Sequence, residues 1–369
     1  MRKVSVISHH ILSPVAEGSC EAYLACMEGR SGVRLHEGTF GVREPFMAAL
    51  FDREKIYGQA AGTGIEGYSF YETLSMLSIH KALEGSDIDP AAPDTAFILS
   101  TTKGNVELLG SGADVSLGAS SSRIVSRFKP LCTPLTVSNA CISGLNAMIQ
   151  GMRMIRSGRA RNVVVCGAES QGAFIVTGFQ SLKALSPEPC RPFDANRCGL
   201  NLGEAAATVI LSADEGPWEI VDGAIRNDAN HISGPSRTAE GSFEALRHVL
   251  QTGLAPAMVC PHGTATLYND AMEAVALGRA HLEKLPICSL KGIFGHTLGA
   301  AGVLESIIGM MAMDKGMIPG AMGYNSPGTE PALDISSGPV SVQGDCFIKL
   351  MSGFGGCNAA AIFKKGGRQ

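Results

Sequence analysis

The sequence predicts an α/β protein built from two similar halves. Short β-branched or apolar runs alternate with amphipathic helical stretches, the pattern of a buried sheet covered by helices. The runs also fall into two series of the same order, with polar or glycine-rich turns at matching places. The strand runs lie at 4–7, 96–99, 135–138, 163–166, 208–211, 219–224, 258–260, 287–290, 346–350 and 360–363. In the first series Ala96-Phe-Ile-Leu-Ser-Thr-Thr-Lys-Gly104 answers to Ala257-Met-Val-Cys-Pro-His-Gly-Thr-Ala265 in the second. Pro134-Leu-Thr-Val-Ser-Asn-Ala-Cys141 then leads into a helix, as Pro286-Ile-Cys-Ser-Leu-Lys-Gly-Ile-Phe-Gly-His296 does. Each helix is followed by a strand, a glycine-containing turn and a last strand. The offsets between paired segments are similar but unequal, as an old internal duplication would leave them. The boundary falls near 213–217 and divides the chain into residues 1–213 and 214–369.

The helices after those two turns repeat one design. Ile142, Leu145, Met148, Ile149, Met152 and Ile155 recur at spacings of three and four, and Gly158 stands where a left-handed C-terminal cap belongs. Leu298, Leu304, Ile307, Ile308 and Met311 do the same ahead of Gly316. Cys141 and His296 therefore sit at, or just before, helix N-termini.

Composition narrows function mainly by exclusion. Of 369 residues, 45% are hydrophobic, and a chain of roughly 300 residues buries about 75% of the surface its unfolded form exposes. Lys+Arg 30 against Asp+Glu 34 leaves a net charge of −4, which gives no general attraction to nucleic acid or to an anionic membrane. The eleven cysteines are odd in number and include no C-x-x-C pair, so they form neither a disulfide framework nor a zinc pattern. Several, such as Cys166 and Cys260, lie inside apolar runs, where a free thiol behaves as a small hydrophobe. A reducing cytoplasm is the expectation. Met1-Arg-Lys-Val-Ser-Val-Ile-Ser is basic, but His9 and His10 cut its apolar stretch short, so it makes a poor signal peptide. No apolar run approaches the roughly 18 residues of a membrane span, and the chain is expected to be soluble.

The chemistry points to three residues. A thiol at a helix N-terminus feels the positive end of the backbone dipole, which favours the thiolate, so Cys141 is a candidate nucleophile. Gly144 and Ala147 keep the first turn slim enough for a thioester to approach. Alone, Cys141 reads first as a buried thiol between strand and helix, ahead of a nucleophile. Its partners decide: His262 ends an apolar strand in His262-Gly-Thr-Ala-Thr266, and His296 opens a helix crowded with small residues. Two histidines at strand or helix ends of a duplicated α/β architecture converge where the carboxyl ends of strands meet.

Asn139-Ala-Cys141-Ile-Ser-Gly144, His262-Gly-Thr-Ala-Thr266, the stretch from Lys291 to Gly302 and Gly353-Phe-Gly-Gly-Cys-Asn358 resemble, in order and spacing, the motifs of β-ketoacyl-acyl carrier protein synthases. Arg191-Pro-Phe-Asp194, Leu202-Gly-Glu204 and Asp228-Ala-Asn-His231 look like that family too. The resemblance covers residues 90–365, with a weaker match before them. It implies a thiolase-like, five-layered α-β-α-β-α fold, a Cys-His-His triad and a decarboxylative Claisen condensation in fatty acid, polyene or polyketide synthesis. Carried over, Cys141 takes the acyl chain while His262 and His296 serve decarboxylation of a malonyl thioester. Lys291 and Glu305 would pair behind them, and Lys291 would disfavour protonating a histidine. Phe354 would gate the acyl pocket, its N–H joining that of Cys141 in an oxyanion hole, and Thr264 and Thr266 would contact substrate. The implied partners are acyl- and malonyl-loaded acyl carrier protein and a second subunit, either a copy of this chain or another ketosynthase-like chain. No cofactor, metal, nucleic acid or membrane insertion is implied.

Some residues depart from the family pattern. Asn139 and Ile142 flank the nucleophile, Pro261 precedes the first histidine and Ser352 precedes Gly353, where the family usually has other types. The segment between Gly104 and Cys141 is short, which leaves acyl chain length and partner choice open. Gly62-Thr-Gly64-Ile-Glu-Gly67 fits G-x-G-x-x-G, but no buried strand precedes it, as a dinucleotide site requires. Arg153, Arg156, Arg159 and Arg161 read as a solvated helix end before they read as a carrier-protein patch. Two other function classes compete: a non-catalytic partner resembling a chain-length factor, and a cysteine hydrolase. The first typically lacks the nucleophile, and the second leaves one histidine and the 353–358 turn without a role.

Overall fold

The computed structural model describes residues 2–228, 230, 234 and 236–367. Ala229 and His231 of the Asp228–His231 motif lie outside the described residues. Nine strands carry the frame: β1 (Ser5–Ser13), β2 (Thr95–Ser100), β3 (Leu135–Val137), β4 (Asn162–Glu169), β5 (Ala205–Ser212), β6 (Trp218–Asn227), β7 (Val259–Cys260), β8 (Cys346–Gly353) and β9 (Cys357–Lys365). Among the helices that pack on them are α1 (Ser19–Met27), α2 (Phe70–Glu84), α3 (Ser143–Arg156), α4 (Glu240–Leu250), α5 (Leu267–Arg279) and α6 (Ala301–Lys315).

The strands join in the order β7-β8-β9-β6-β1-β5-β4-β2-β3. From β3 to β1, the strands of the first half run third, second, fourth, fifth, first, with β3, β2 and β4 parallel and β5 antiparallel to β4 and β1. The second half repeats this: Ile287 bridges to Val259 in parallel, β7 runs parallel to β8, and β9 is antiparallel to β8 and β6. The two half-sheets join where Ser5 and Val6 pair with Glu219 and Trp218 and the Ile220 N–H donates to Val4 O.

Three apolar clusters show how the layers stack. The central one holds Leu145, Met148, Ile149 and Met152 of α3 together with Leu304, Ile307 and Ile308 of α6, and it includes inward residues of both half-sheets. A second lies between α2 and the first half-sheet, and a third between α4, α5 and the second. Helix, half-sheet, the α3/α6 pair, half-sheet, helix is therefore the sequence of layers, a thiolase-like α-β-α-β-α stack. Every apolar residue of the α3 stripe is buried, each contributing on the order of 1.5–3 kcal/mol. Gly158 and Gly316 close α3 and α6 at φ 74 and 67, as left-handed caps should. Among the described residues no helix is long and apolar enough to cross a membrane.

Three sequence readings are corrected. Residues 287–290 form no strand: Val259 and Ile287 make a single bridge, and the helical turn Lys291–Phe294 begins before a ladder can extend. Strand β1 continues through His9 and His10, because this strand lies inside the joined sheet, where Ser19 Oγ meets His9 Nδ1 at 2.9 Å and burial lowers His10 to about 4. Gly144 leaves no room for substrate. A Cβ there would lie 2.9 Å from Gly299 O and 3.0 Å from Val303 N, and one on Gly302 would lie 2.3 Å from Leu145 N. The two glycines let the N-terminal turns of the paired helices touch backbone to backbone.

Candidate active site

That contact brings the nucleophile and the second histidine together. Between β3 and α3 the chain turns through Ala140, held at φ 45. Ser143 Oγ donates to Ala140 O at 2.6 Å and accepts from Asn139 N–H at 2.7 Å, locking the turn. Cys141 sits at its crest, buried, two residues before α3. His262 follows β7. Its N–H and that of Gly263 donate to the two oxygens of Glu273, at 2.6 and 2.7 Å, and its carbonyl accepts from Lys291 Nζ at 2.7 Å. His296 is fixed by its N–H donating to Asn201 O at 2.6 Å, and its ring Nδ1 accepts from Leu298 N–H at 3.3 Å. The two imidazoles meet edge to face, with centroids 4.8 Å apart, and the Cys141 sulfur and one nitrogen of each ring lie within 4.8 Å of one another.

The electrostatics set their protonation. Burial, then Lys291, His296 and Lys349, hold His262 well below its ordinary value; burial, Lys291 and Lys349 do the same for His296. Both rings are neutral. Because His296 Nδ1 accepts an amide proton, its own proton sits on Nε2, which has no protein partner. Burial also pushes the Cys141 thiol up to about 12, with Cys357 adding to it and Lys291 and Lys103 opposing. Burial thus outweighs the helix dipole, and the resting nucleophile is a thiol, not the thiolate that its helix position suggests.

The three donors do not fit a metal. With its Nδ1 lone pair engaged and a proton on Nε2, His296 offers no lone pair to an ion. Metal-bound histidines usually donate their other N–H to a carboxylate or carbonyl, which is not the arrangement here.

Lys291 and Glu305 pair as expected, Nζ to Oε1 at 2.5 Å. The other oxygen of Glu305 is taken by a lysine the sequence reading missed: Lys349 Nζ lies 2.6 Å from Oε2 and donates to Pro261 O at 2.8 Å and Cys260 O at 3.2 Å. Burial pushes the Glu305 carboxyl up, but the two lysines win and hold it below its ordinary value. A lysine inside the apolar run Cys346-Phe-Ile-Lys-Leu-Met351 was the available signal, since a lysine is almost never buried unpaired. Glu273 also escaped. It stands three residues after Asp270 on α5, the spacing that puts both carboxylates on one helix face.

A cavity of about 400 Å³ contains Cys141, His262, His296, Thr264, Thr266 and Phe354. Thr264 and Thr266 bond each other at 2.9 Å, and Phe354 stacks on Phe179 with centroids 5.9 Å apart. A Cβ at Gly353 would lie 3.1 Å from the Cys141 amide nitrogen, so the 353–358 turn reaches the nucleophile. Exposed Leu182, Leu267 and Tyr268 rim the opening. The arginine cluster lies at the opposite end of α3, roughly 20 Å away at 1.5 Å per residue. There Arg156 binds Val221 O and Arg161 pairs with Asp214 at 2.6 Å. Gly62, Gly64 and Gly67 occupy an exposed turn between the helix Arg53–Ala60 and α2, so no strand precedes them.

A stack of helices and half-sheets built twice around a Cys-His-His pocket defines a thiolase-like protein. Residues 2–215 match the sequence model described as "Beta-ketoacyl synthase, N-terminal domain" and residues 218–325 "Beta-ketoacyl synthase, C-terminal domain". The chain belongs to the β-ketoacyl synthase family. It is 34% identical over 257 residues to the tetracenomycin polyketide synthase ketoacyl synthase alpha subunit of Streptomyces glaucescens, a stretch covering 63% of this chain and 60% of that one. It is 28% identical to 3-oxoacyl-[acyl-carrier-protein] synthase 2 of Vibrio cholerae over 99% of both chains. Among solved structures, a beta-ketoacyl synthase from Burkholderia phymatum superposes with a TM-score of 0.87 at 25% identity, covering 99% of this chain and 100% of that one. A ketosynthase in complex with its chain length factor from Xenorhabdus doucetiae gives 0.86 at 21%, covering 99% and 98%.

Proposed function

We propose that this protein is a 3-oxoacyl synthase that condenses a Cys141-bound acyl group with a malonyl thioester carried on acyl carrier protein. The observation that supports it most is the pairing of one buried thiol with two neutral imidazoles in a single cavity. In this reading the Cys141 sulfur attacks the acyl thioester and the carrier thiol leaves. The amides of Cys141 and Phe354 hold the tetrahedral oxyanion. The malonyl thioester then binds with its carbonyl oxygen against His262 and His296. Loss of carbon dioxide leaves an enolate, whose oxygen takes their hydrogen bonds. Its carbon attacks the acyl group, and the Cys141 thiolate is released. Neutral rings suit this step, because a neutral N–H donates to the enolate oxygen without giving up its proton, whereas an imidazolium, also a donor, is acidic enough to protonate the enolate and quench it. Thr264 and Thr266 contact the carrier's arm, and Phe354 with Phe179 gates the acyl side.

The chain, divided into residues 1–213 and 214–369, acts as one of two ketosynthase-like subunits in this reading. A reducing compartment suits its eleven free thiols. The chain-length-factor alternative draws support only from the kinship with assemblies that contain such a subunit, and the intact triad speaks against it.

Cys141→Gln separates the two half-reactions. An amide fills the place of the thioester but accepts no acyl group. The variant is expected to keep or raise carbon dioxide release from malonyl-carrier while condensation disappears. A folded variant that releases none would contradict the assigned roles.

A further inference from the structure

Two lysines compete for one carboxylate behind the histidines. Lys291 and Lys349 are buried, and each takes one oxygen of Glu305. Between them they also hold the last three carbonyls of the segment that ends at the first histidine: Cys260 and Pro261 by Lys349, His262 by Lys291. Lys291 alone would balance Glu305. The second lysine adds a positive charge inside the protein, whose desolvation is costly and is offset by its share of Glu305 and by the two carbonyls it bonds. Glu273 is the carboxylate its field also reaches, and burial raises that group to about 7, so below that pH it offers little compensation.

We propose that Lys349 is a positioning residue for the histidine pair, fixing the strand end that carries His262 and supplying a second buried cation that keeps both imidazoles neutral. The inference rests on the condensing-enzyme reading. Around the two rings stand Cys141, Lys291, Lys349 and Glu305; Glu273 and Asp270 of α5 receive the N–H groups of His262 and Ala265, Glu169 of β4 receives that of Gly299, and Lys183, Cys198 and Asp228 line the same cavity. Lys291 and Lys349 are the lysines that hold both rings down, and removing one must let the rings take up protons at higher pH.

The experiment follows the ring nitrogens of His262 and His296 by long-range proton–nitrogen spectra against pH, and carbon dioxide release from malonyl-carrier over the same range. Wild type is compared with Lys349→Met and with Lys349→Gln, whose amide can still cap a carbonyl without charge. Both variants should show ring protonation moved up by about one pH unit or more, with the acid limb of carbon dioxide release moving by the same amount. Rings that titrate as in wild type, with release reduced equally at every pH, would overturn the proposal. So would failure of both variants to fold, which would make Lys349 a stability residue. Should wild type release no carbon dioxide at any pH, the condensing-enzyme reading fails instead, while the ring titrations still report on Lys349.

Discussion

Cys141 is held as a thiol. Its place before α3 favours the thiolate, yet burial and the neighbouring Cys357 push it up to about 12. Only the deprotonated sulfur reacts with an alkylating agent, so below that value reactivity tracks the thiolate fraction. Alkylation of Cys141 by iodoacetamide is therefore expected to rise about tenfold per pH unit from pH 7 to 10 without a plateau; a plateau near pH 7 would contradict the burial effect. His262 and His296 lie well below their ordinary value. Their protonated, non-functional form appears only well below pH 6.5, and the acid limb of carbon dioxide release should lie there too, with a midpoint near 6.5 as the contrary result. Replacing either with alanine removes one donor to a developing oxyanion, and release should fall by about 10²–10³, while acyl-Cys141 still forms more slowly, as intact mass would show.

At the level of elements, the site depends on a crossing of two helix starts so close that Gly144 and Gly302 meet backbone. Gly302→Ala would force α3 and α6 apart, with a cost of about 1–3 kcal/mol for overpacking, to be read from denaturant unfolding. Glu305→Ala would strand two buried lysines, a loss on the order of 3–5 kcal/mol, measured in the same way. The periodicity of α3 and α6 and their glycine caps was legible because apolar spacing and a left-handed cap are local properties. The role of Gly144 was not, since what its missing Cβ avoids lies on a helix more than 150 residues away. Lys349 was visible as an oddity in an apolar strand, but its partners, Glu305 and two carbonyls beside His262, come from distant segments. Residues 287–290 looked like a strand because composition reports burial, whereas a ladder needs a neighbour over several residues.

For the whole molecule, the duplication could be read from the order of strand runs, whereas the layering was implied only by the resemblance to a known family. The half-sheets join through two residue pairs, but α3 and α6 pack against strands of both. Neither half has a complete core alone, so calorimetry should show one unfolding transition for the full chain, and two separated transitions would contradict the shared layer. Acyl chain length stays outside the reach of sequence because the short segment between Gly104 and Cys141 carries exposed Leu109 and Leu131, whose covering depends on a second subunit in the proposed assembly. The central claim is the acyl thioester on Cys141 and its discharge onto malonyl-carrier. It is tested most directly by incubating the protein with an acyl-carrier thioester, mapping the modified peptide by mass, and then adding malonyl-carrier. The predicted result is the acyl mass on the peptide containing Cys141, lost on addition of malonyl-carrier with release of carbon dioxide and appearance of a carrier-bound 3-oxoacyl product two carbons longer. An acyl label chiefly on another cysteine, or one on Cys141 that malonyl-carrier does not discharge, would contradict it.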